Sequence, residues 1–515
     1  MDLVAMHASY KADATALVQG DRELTWGEYN AEKNRVANAL VGMGVTEADK
    51  VVCYVHNCIE RFLLTAAGDT LGVTVVPMNY RLTAPEVEYI VNDSETRFVF
   101  FGEEFGDVIE AVRPSCRGVE AWISTGKSTG PGVLAWDEAV GSASPETPPT
   151  LAEGGGVMIY TSGTTGNPKG AYREPGQTSD EMRAKWFADM LTEFDIRGGD
   201  DVHLVSGPLY HGAPFSFAMI ATGVGSKIVI MPKFDAETAA RLIAEHGVGY
   251  TVMAPVLIKR FLALPDEVLS GYDLSSLHTI VTTGAPCPQS TKKELLERVG
   301  PVLYEFYGST ELGVNTIMKP ADVLAKEGSC GKEFPGVELV ILRDDGSEAD
   351  VDEPGELYVR KHPLAFSGYY RKDDATRGAY RGEDLVSVGD VAYKDADGFF
   401  YICDRKTDMI ISGGVNIYPA EIENVLHQHP AIADCCVFGI PDEEFGEAVH
   451  ASVELKDGES LTIDALKEWS RDKLADYKRP RSIDFVDSLP RDQAGKLRKR
   501  ELREPYWAGH TRRVN

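Results

Sequence analysis

No apolar run in this 515-residue chain is long and charge-free enough to span a bilayer. Phe62 to Val76 is interrupted by Asp69, and Ala218 to Met231 by Lys227. The start, Met1-Asp2-Leu3-Val4-Ala5, lacks a basic region followed by an apolar core, so no secretory leader is expected. Cysteine is scarce: the eight, at positions 53, 58, 116, 287, 330, 403, 435 and 436, form no C-x-x-C pair and no His/Cys ligand spacing. That disfavours a disulfide framework and a zinc site, and points to a reducing, cytoplasmic compartment. Positive charge is also in deficit. Lys and Arg number 52 against 80 Asp and Glu, and the net charge of −28 argues against nucleic acid as a partner.

What is present is an ordinary globular composition, 43% hydrophobic and 26% charged, in a chain long enough for two or more domains. Strand-like apolar runs alternate with helical patterns, the mark of α/β architecture. Thr25-Trp26-Gly27-Glu28 reads as a capping box opening a helix with Tyr29, Val36, Leu40 and Met43 on one face. Pro419 opens another, carrying Ile422, Val425 and Leu426. Segment 125–155, rich in Gly, Ser, Pro and Thr, reads as a surface excursion. A boundary is expected near 404–407, separating residues 1–404 from a compact unit, 405–515. Basic residues crowd near the end (Lys478, Arg479, Arg481, Arg491, Lys496, Arg498, Lys499, Arg500), as an acidic protein with an anionic ligand requires.

The most telling stretch is Tyr160-Thr161-Ser162-Gly163-Thr164-Thr165-Gly166-Asn167-Pro168-Lys169-Gly170, which follows the apolar run Val157-Met158-Ile159-Tyr160. The order predicts a strand emptying into a loop. Its glycines let backbone N–H groups approach an anion, its hydroxyls add donors, and Lys169 adds a mobile charge. This is a polyphosphate cradle without the Lys-Ser/Thr of a Walker A loop. Further motifs follow in order: Pro208-Leu209-Tyr210-His211-Gly212, Gly284-Ala285-Pro286, Tyr307-Gly308-Ser309-Thr310-Glu311, Ser387-Val388-Gly389-Asp390, Asp404-Arg405-Lys406-Thr407-Asp408 with Ser412-Gly413-Gly414 beyond, and Pro490-Arg491-Asp492-Gln493-Ala494-Gly495-Lys496.

Together these resemble the adenylate-forming superfamily of acyl- and aryl-CoA synthetases, luciferase and peptide-synthetase adenylation domains, and the resemblance covers almost the whole chain. It implies a large N-terminal body of α/β subdomains and a small mobile α+β C-terminal domain. It also implies the roles. Thr161, Ser162, Gly163, Thr164, Thr165, Gly166 and Lys169 would cradle the ATP phosphates. Gly284, Ala285 and Pro286 would flank adenine, Tyr307 would stack on it beside Gly308, and Asp390 and Arg405 would hold the ribose. Thr310 would touch the α-phosphate, and Glu311 with Thr161 would bind Mg²⁺. Lys496 would swing in to hold the α-phosphate and the substrate carboxylate. His211 would border the acyl site, with Gly212, Ala213, Phe215, Leu312 and Gly313 lining it. Ser412, Gly413 and Gly414 would admit the pantetheine arm of CoA. The sequence departs from the family at the hinge, where Thr407 stands at a position usually Asp or Lys.

The expected activity is an ATP-dependent acid–CoA ligase with ATP, Mg²⁺ and CoA as cofactor and co-substrates. The pocket residues are small or apolar, with no evident Arg or Lys for a second carboxylate. A hydrophobic monocarboxylic acid is therefore expected: a medium or long fatty acid, or a cyclic, aromatic or steroid side-chain acid. An enzyme passing the same adenylate to an amine is the alternative. A carrier-protein assembly line is disfavoured by the absence of a module after Lys496, and a catalytically lost regulator by intact Glu311, Asp390, Arg405 and Lys496. The partners expected are small molecules, with a homodimer as a further possibility.

Overall fold

The computed structural model describes residues 2–152, 155–161, 168–173, 179–360, 365–413, 415–471, 473–491 and 497–508. Two parallel sheets form the centre of the large body. One has six strands in the order Leu134–Ala135, Ala121–Ser124, Phe98–Phe101, Lys50–Tyr54, Thr74–Pro77, Gly156–Val157. The other has seven, in the order Leu303–Glu305, Thr279–Thr282, Tyr250–Val252, Val202–Val205, Lys227–Ile230, Thr15–Gln19, with Arg22–Thr25 as an antiparallel edge. Their strands are short continuous apolar runs, Phe98-Val99-Phe100-Phe101 being buried throughout, as a parallel sheet covered on both faces requires.

The helices Trp26–Gly42 and Ile59–Leu71 lie between the sheets, and residues of both sheets enter one core with them, including Leu17, Val205, Ile228, Val51 and Phe100. The first helix starts where the sequence predicts. Thr25 accepts from the Glu28 N–H at 3.2 Å, and Glu28 accepts from the Thr25 N–H at 2.8 Å. Segment 125–155 is only partly a surface excursion. Val140 is buried, and Asn34, Arg35 and Asn38 of that helix donate to the carbonyls of Pro145, Ala143 and Ser144, strapping the segment down.

The strand expected ahead of the phosphate loop is two strands. Gly156–Val157 pairs in parallel with Thr74 and Val75, Met158 is buried at the crossing, and Ile159–Thr161 turns away to pair antiparallel with Lys169–Ala171. The two arms Ile159–Thr161 and Lys169–Tyr172 therefore lead into and out of the loop.

A third sheet, mostly antiparallel, holds Gly355–Arg360, Asp390–Lys394 and Phe400–Arg405. Beyond it, Ile410–Ser412, Val415–Ile417, Ile432–Asp442, Gly446–Leu455 and Ser482–Val486 form a five-stranded sheet covered by the helices Pro419–Leu426, Ile463–Ser470 and Lys499–Trp507. This unit has its own core, with Ile410, Ile422, Leu426, Val437, Val453 and Leu466 at its centre. Cys435 and Cys436 are buried in its long strand, as their apolar setting suggested. Among the described residues no helix is long and apolar enough to cross a membrane.

Candidate active site

Three strands of the seven-stranded sheet deliver motifs at the same carboxyl edge. Val202–Val205 leads into Pro208–Gly212, Thr279–Thr282 into Gly284-Ala285-Pro286, and Leu303–Glu305 into Tyr307–Glu311. The carboxyl ends of parallel strands are where such sheets place ligands. Gly284 adopts φ +87°, a left-handed turn that favours glycine. Gly308–Ser309 doubles back against Gly313–Val314, and a Cβ on Gly308 would lie 2.0 Å from the Gly313 carbonyl oxygen, so only glycine fits.

One cluster forms around Asp390. The Tyr307 hydroxyl donates to its Oδ2 at 2.5 Å, and Arg405 Nε lies 3.4 Å from its Oδ1. Asp390 and Arg405 are directly opposite in an antiparallel pair, so the third sheet sets their spacing. Burial, reinforced by Asp390, pushes the Tyr307 phenol well up, and it stays a proton donor.

A second cluster forms around Glu311, itself 7% exposed. Its Oε1 accepts from the Thr161 hydroxyl at 3.1 Å and from the Tyr369 hydroxyl at 3.0 Å. Lys169 Nζ stands 5.2 Å from the centroid of the Tyr369 ring, and Lys169 is the cross-strand partner of Thr161. Arg173 donates to the Thr310 carbonyl at 3.0 Å. The Glu311 carboxylate and the Thr161 hydroxyl are hard oxygen donors. They fit a cation such as Mg²⁺ that draws its other ligands from phosphate and water. No group of three or more His, Cys, Asp or Glu among the described residues offers an all-protein cage.

His211 occupies the residue before the helix Gly212–Val224, its ring centroid 4.5 Å from that of Tyr210. A Cβ on Gly212 would lie 3.6 Å from Thr310 Oγ1, which places the start of this helix beside the Tyr307–Glu311 turn. Ala213 and Phe215 follow, half-buried, on its first turn, and Gly313 sits at φ +72° in the turn after Glu311. Leu312 corrects the expectation. It is 1% exposed and packs with Leu339, Leu357, Phe366 and Phe400, so its side chain belongs to the core of the third sheet rather than to an acyl pocket. Phe215 also has a buried cation beside it. Arg61 is 3% exposed, and its guanidinium carbon lies 5.2 Å from the centroid of the Phe215 ring.

Ser412 and Gly413 lie on the small C-terminal sheet. Ser412 pairs with Val415 and Gly446, and the Gly413 N–H donates to the Phe445 carbonyl at 2.8 Å from an exposed turn at φ +59°. Ser162, Gly163, Thr164, Thr165, Gly166, Gly414 and Lys496 lie outside the described residues.

Three residues escaped the sequence reading. Tyr369 bridges Glu311 and Lys169; the run Gly368-Tyr369-Tyr370 is its only local signal. Arg173 follows the strand that leaves the phosphate loop. Asn57, 4% exposed, donates to the carbonyls of Gly207 and Met231, both at 3.0 Å, and accepts from the Leu209 N–H at 2.9 Å. It fixes the segment that ends in His211. A polar residue between the apolar strand Lys50–Tyr54 and the apolar helix Ile59–Leu71 was the available hint.

The AMP-binding enzyme profile matches residues 4–370, and the AMP-binding enzyme C-terminal domain matches residues 421–496. The chain is 31% identical over 518 residues to the fatty acid–[acyl-carrier-protein] ligase ScoC of Streptomyces coeruleorubidus, covering 99% of this chain and 97% of that one. It is 31% identical over 495 residues to the long-chain-fatty-acid–CoA ligase FadD13 of Mycobacterium tuberculosis, covering 95% and 94%. Among solved structures, the amide bond synthetase McbA from Marinactinospora thermotolerans superposes with a TM-score of 0.86 at 26% identity, covering 98% of this chain and 100% of that one. With two acid-centred clusters joined by the Tyr307–Glu311 turn and both family profiles matched in order, the chain belongs to the AMP-binding enzyme family, the adenylate-forming superfamily its motifs resemble, as an AMP-forming acid–thiol ligase.

Proposed function

We propose that the enzyme activates a hydrophobic monocarboxylic acid as its adenylate and passes the acyl group to CoA. The acid is a medium- or long-chain fatty acid, or a cyclic, aromatic or steroid side-chain acid. Acid and ATP give acyl-AMP and pyrophosphate; acyl-AMP and CoA then give the thioester and AMP. The observation that carries this reading is a single five-residue turn. Its first residue, Tyr307, joins Asp390 and Arg405; its last, Glu311, joins Thr161 and Tyr369; and Thr310 between them meets the helix that begins at Gly212. One short turn touching all three groups supports neighbouring base, phosphate and acyl subsites, the arrangement that a displacement between two anions demands.

In this reading the Tyr307 ring stacks on adenine beside Gly284, Ala285 and Pro286. Asp390 accepts from the two ribose hydroxyls, a vicinal diol suited to a carboxylate, with Arg405 alongside. Lys169 and the loop Ser162–Gly166 hold the leaving phosphates. Thr310 and Lys496 hold the α-phosphate, and Lys496 also aligns the substrate carboxylate. Glu311 and Thr161 would hold Mg²⁺, which when bound would supply positive charge against the triphosphate. His211, Gly212, Ala213, Phe215 and Gly313 border the acyl group. Ser412, Gly413 and Gly414 admit the pantetheine arm after the small C-terminal unit turns about the segment at Thr407. Eight free cysteines support a cytoplasmic setting.

The likeness to McbA favours one second reading, transfer of the acyl group to an amine. Pyrophosphate release measured over a panel of acids, with CoA, with an amine or with neither, decides between them. CoA-dependent thioester and AMP support the proposal, whereas amide formed at equal or greater rate without CoA replaces it.

A further inference from the structure

Asp404 belongs to the large body, opposite Val391 in the strand Phe400–Arg405, yet its carboxylate reaches groups that follow the hinge. Its Oδ2 accepts from the Ala420 N–H at 3.1 Å, in the first turn of the helix Pro419–Leu426. The same oxygen lies 3.9 Å from Lys499 Nζ. Lys499 also pairs with Glu423 at 3.1 Å, and Glu423 in turn accepts from the Val437 N–H at 2.7 Å. The side chains of Lys499, Asp404 and Glu423 are 13%, 9% and 18% exposed, so this is a desolvated network in which each partner matters. Burial lifts the Asp404 carboxyl to about 6, with Lys499 pulling it down and Glu423 and Asp408 pushing it up.

Lys499 opens the helix Lys499–Trp507, three residues after Lys496. Just before the helix, Leu497 bridges Arg491 and the Arg498 N–H donates to the Pro490 carbonyl at 2.8 Å. One turn further along, Arg503 donates to Asp408 Oδ1 at 2.9 Å and to the Thr407 carbonyl at 3.4 Å. The helix after Lys496 thus grips the hinge segment on both sides of Thr407. If the backbone turns at Thr407, the Arg503–Asp408 and Lys499–Glu423 contacts travel together with the small unit. The Asp404 contacts with Ala420 and Lys499 span the pivot and must part.

Resting on the two-step reading above, we infer that Asp404 is a positioning residue: with Lys499 and the Ala420 N–H it latches the small unit in the arrangement seen here, and that arrangement serves adenylation. Gly413 and Val415 are exposed, so the turn assigned to pantetheine faces solvent and the arrangement held here is not the one that would present it to the acyl-adenylate. The latch sets how long the enzyme stays competent for the first half-reaction; its release accompanies the second.

The test uses the full chain. Asp404→Asn keeps shape and an acceptor for Ala420 but removes the charge facing Lys499. It is expected to slow single-turnover pyrophosphate formation roughly tenfold while leaving thioester formation from supplied acyl-AMP and CoA unchanged or faster. Lys499→Met should show the same split, and Lys499→Arg should restore adenylation. Small-angle scattering on the ATP-bound chain should show Asp404→Asn populating a second domain arrangement. Equal loss in both half-reactions, no loss in either, selective loss of thioester formation or an unchanged scattering profile overturns the latch. A wild-type chain that releases no pyrophosphate with any acid would instead refute the ligase reading, and the scattering comparison would still decide the latch.

Discussion

Tyr307 donates its phenolic hydrogen to Asp390, with 2.5 Å between Oη and Oδ2. The bond fixes the ring assigned to adenine against the carboxylate assigned to ribose, so the nucleoside subsite is set before ATP arrives. Tyr307→Phe keeps the stacking face and removes the tie. KM for ATP should rise about tenfold or more, the worth of one hydrogen bond to a charged acceptor at roughly 1.5–3 kcal/mol, with kcat changing less. Steady-state kinetics with ATP varied checks it; an unchanged KM would mean the bond plays no part in nucleoside binding.

Glu311→Gln retains an amide oxygen to accept from Thr161 and Tyr369, so the local fold should persist. It replaces a charged oxygen donor by a neutral one, a far poorer ligand for a hard cation. The Mg²⁺ concentration for half-maximal pyrophosphate release should rise by about tenfold or more. A superimposable Mg²⁺ titration would remove Glu311 from the cation site.

Stability should carry a distinct acid limb from His203. This residue is 1% exposed, packs on Tyr250 with centroids 4.6 Å apart, and is driven by burial from 6.5 down to about 3. The folded ring stays neutral while the unfolded chain takes up a proton. The stability tied to it is therefore full above pH 6.5 and lost as pH falls toward 3. By pH 4.5, two pH units below the unfolded value, the loss amounts to roughly 3 kcal/mol. His203→Phe should flatten the fall in unfolding free energy between pH 7 and 4.5 by about that amount in denaturant titrations. Parallel profiles for the two proteins would show that the ring is protonated in the fold.

The readable parts of this molecule were those whose physics is local. The capping box at Thr25 needs only Glu28 three residues on, and the Tyr307–Glu311 turn keeps its donors and its obligatory Gly308 within five residues. Asp390 and Arg405 were separately legible, but their meeting depends on strand register. What stayed hidden was long-range. Leu312 follows a site residue in sequence yet points into the third-sheet core, because the turn after Glu311 reverses its direction. Tyr369 reaches Glu311 only because Gly368–Tyr369 pairs with the strand leaving the phosphate loop. The crossing at Met158 was invisible for a related reason: an unbroken apolar run reads as one strand, whichever sheets its halves join.

Lys496→Ala separates the two half-reactions. Its ammonium is assigned to charge that develops at the α-phosphate and to the carboxylate that attacks it, and both exist only while the adenylate forms. Removing such a donor from a preorganised site costs about 10²–10³ in rate, roughly 3–4 kcal/mol of transition-state stabilisation. Adenylation should fall by at least that factor, whereas acyl-AMP supplied directly should still be converted to thioester at close to the normal rate. The comparison with Asp404→Asn is informative. A residue that touches the reacting groups should depress the chemical step at saturating ATP and acid, and leave the scattering profile of the ATP-bound chain unchanged. A latch should shift that profile and lose less rate. Equal loss of both half-reactions in Lys496→Ala would place the lysine in the shared acyl-adenylate site and remove it from a role confined to the first step.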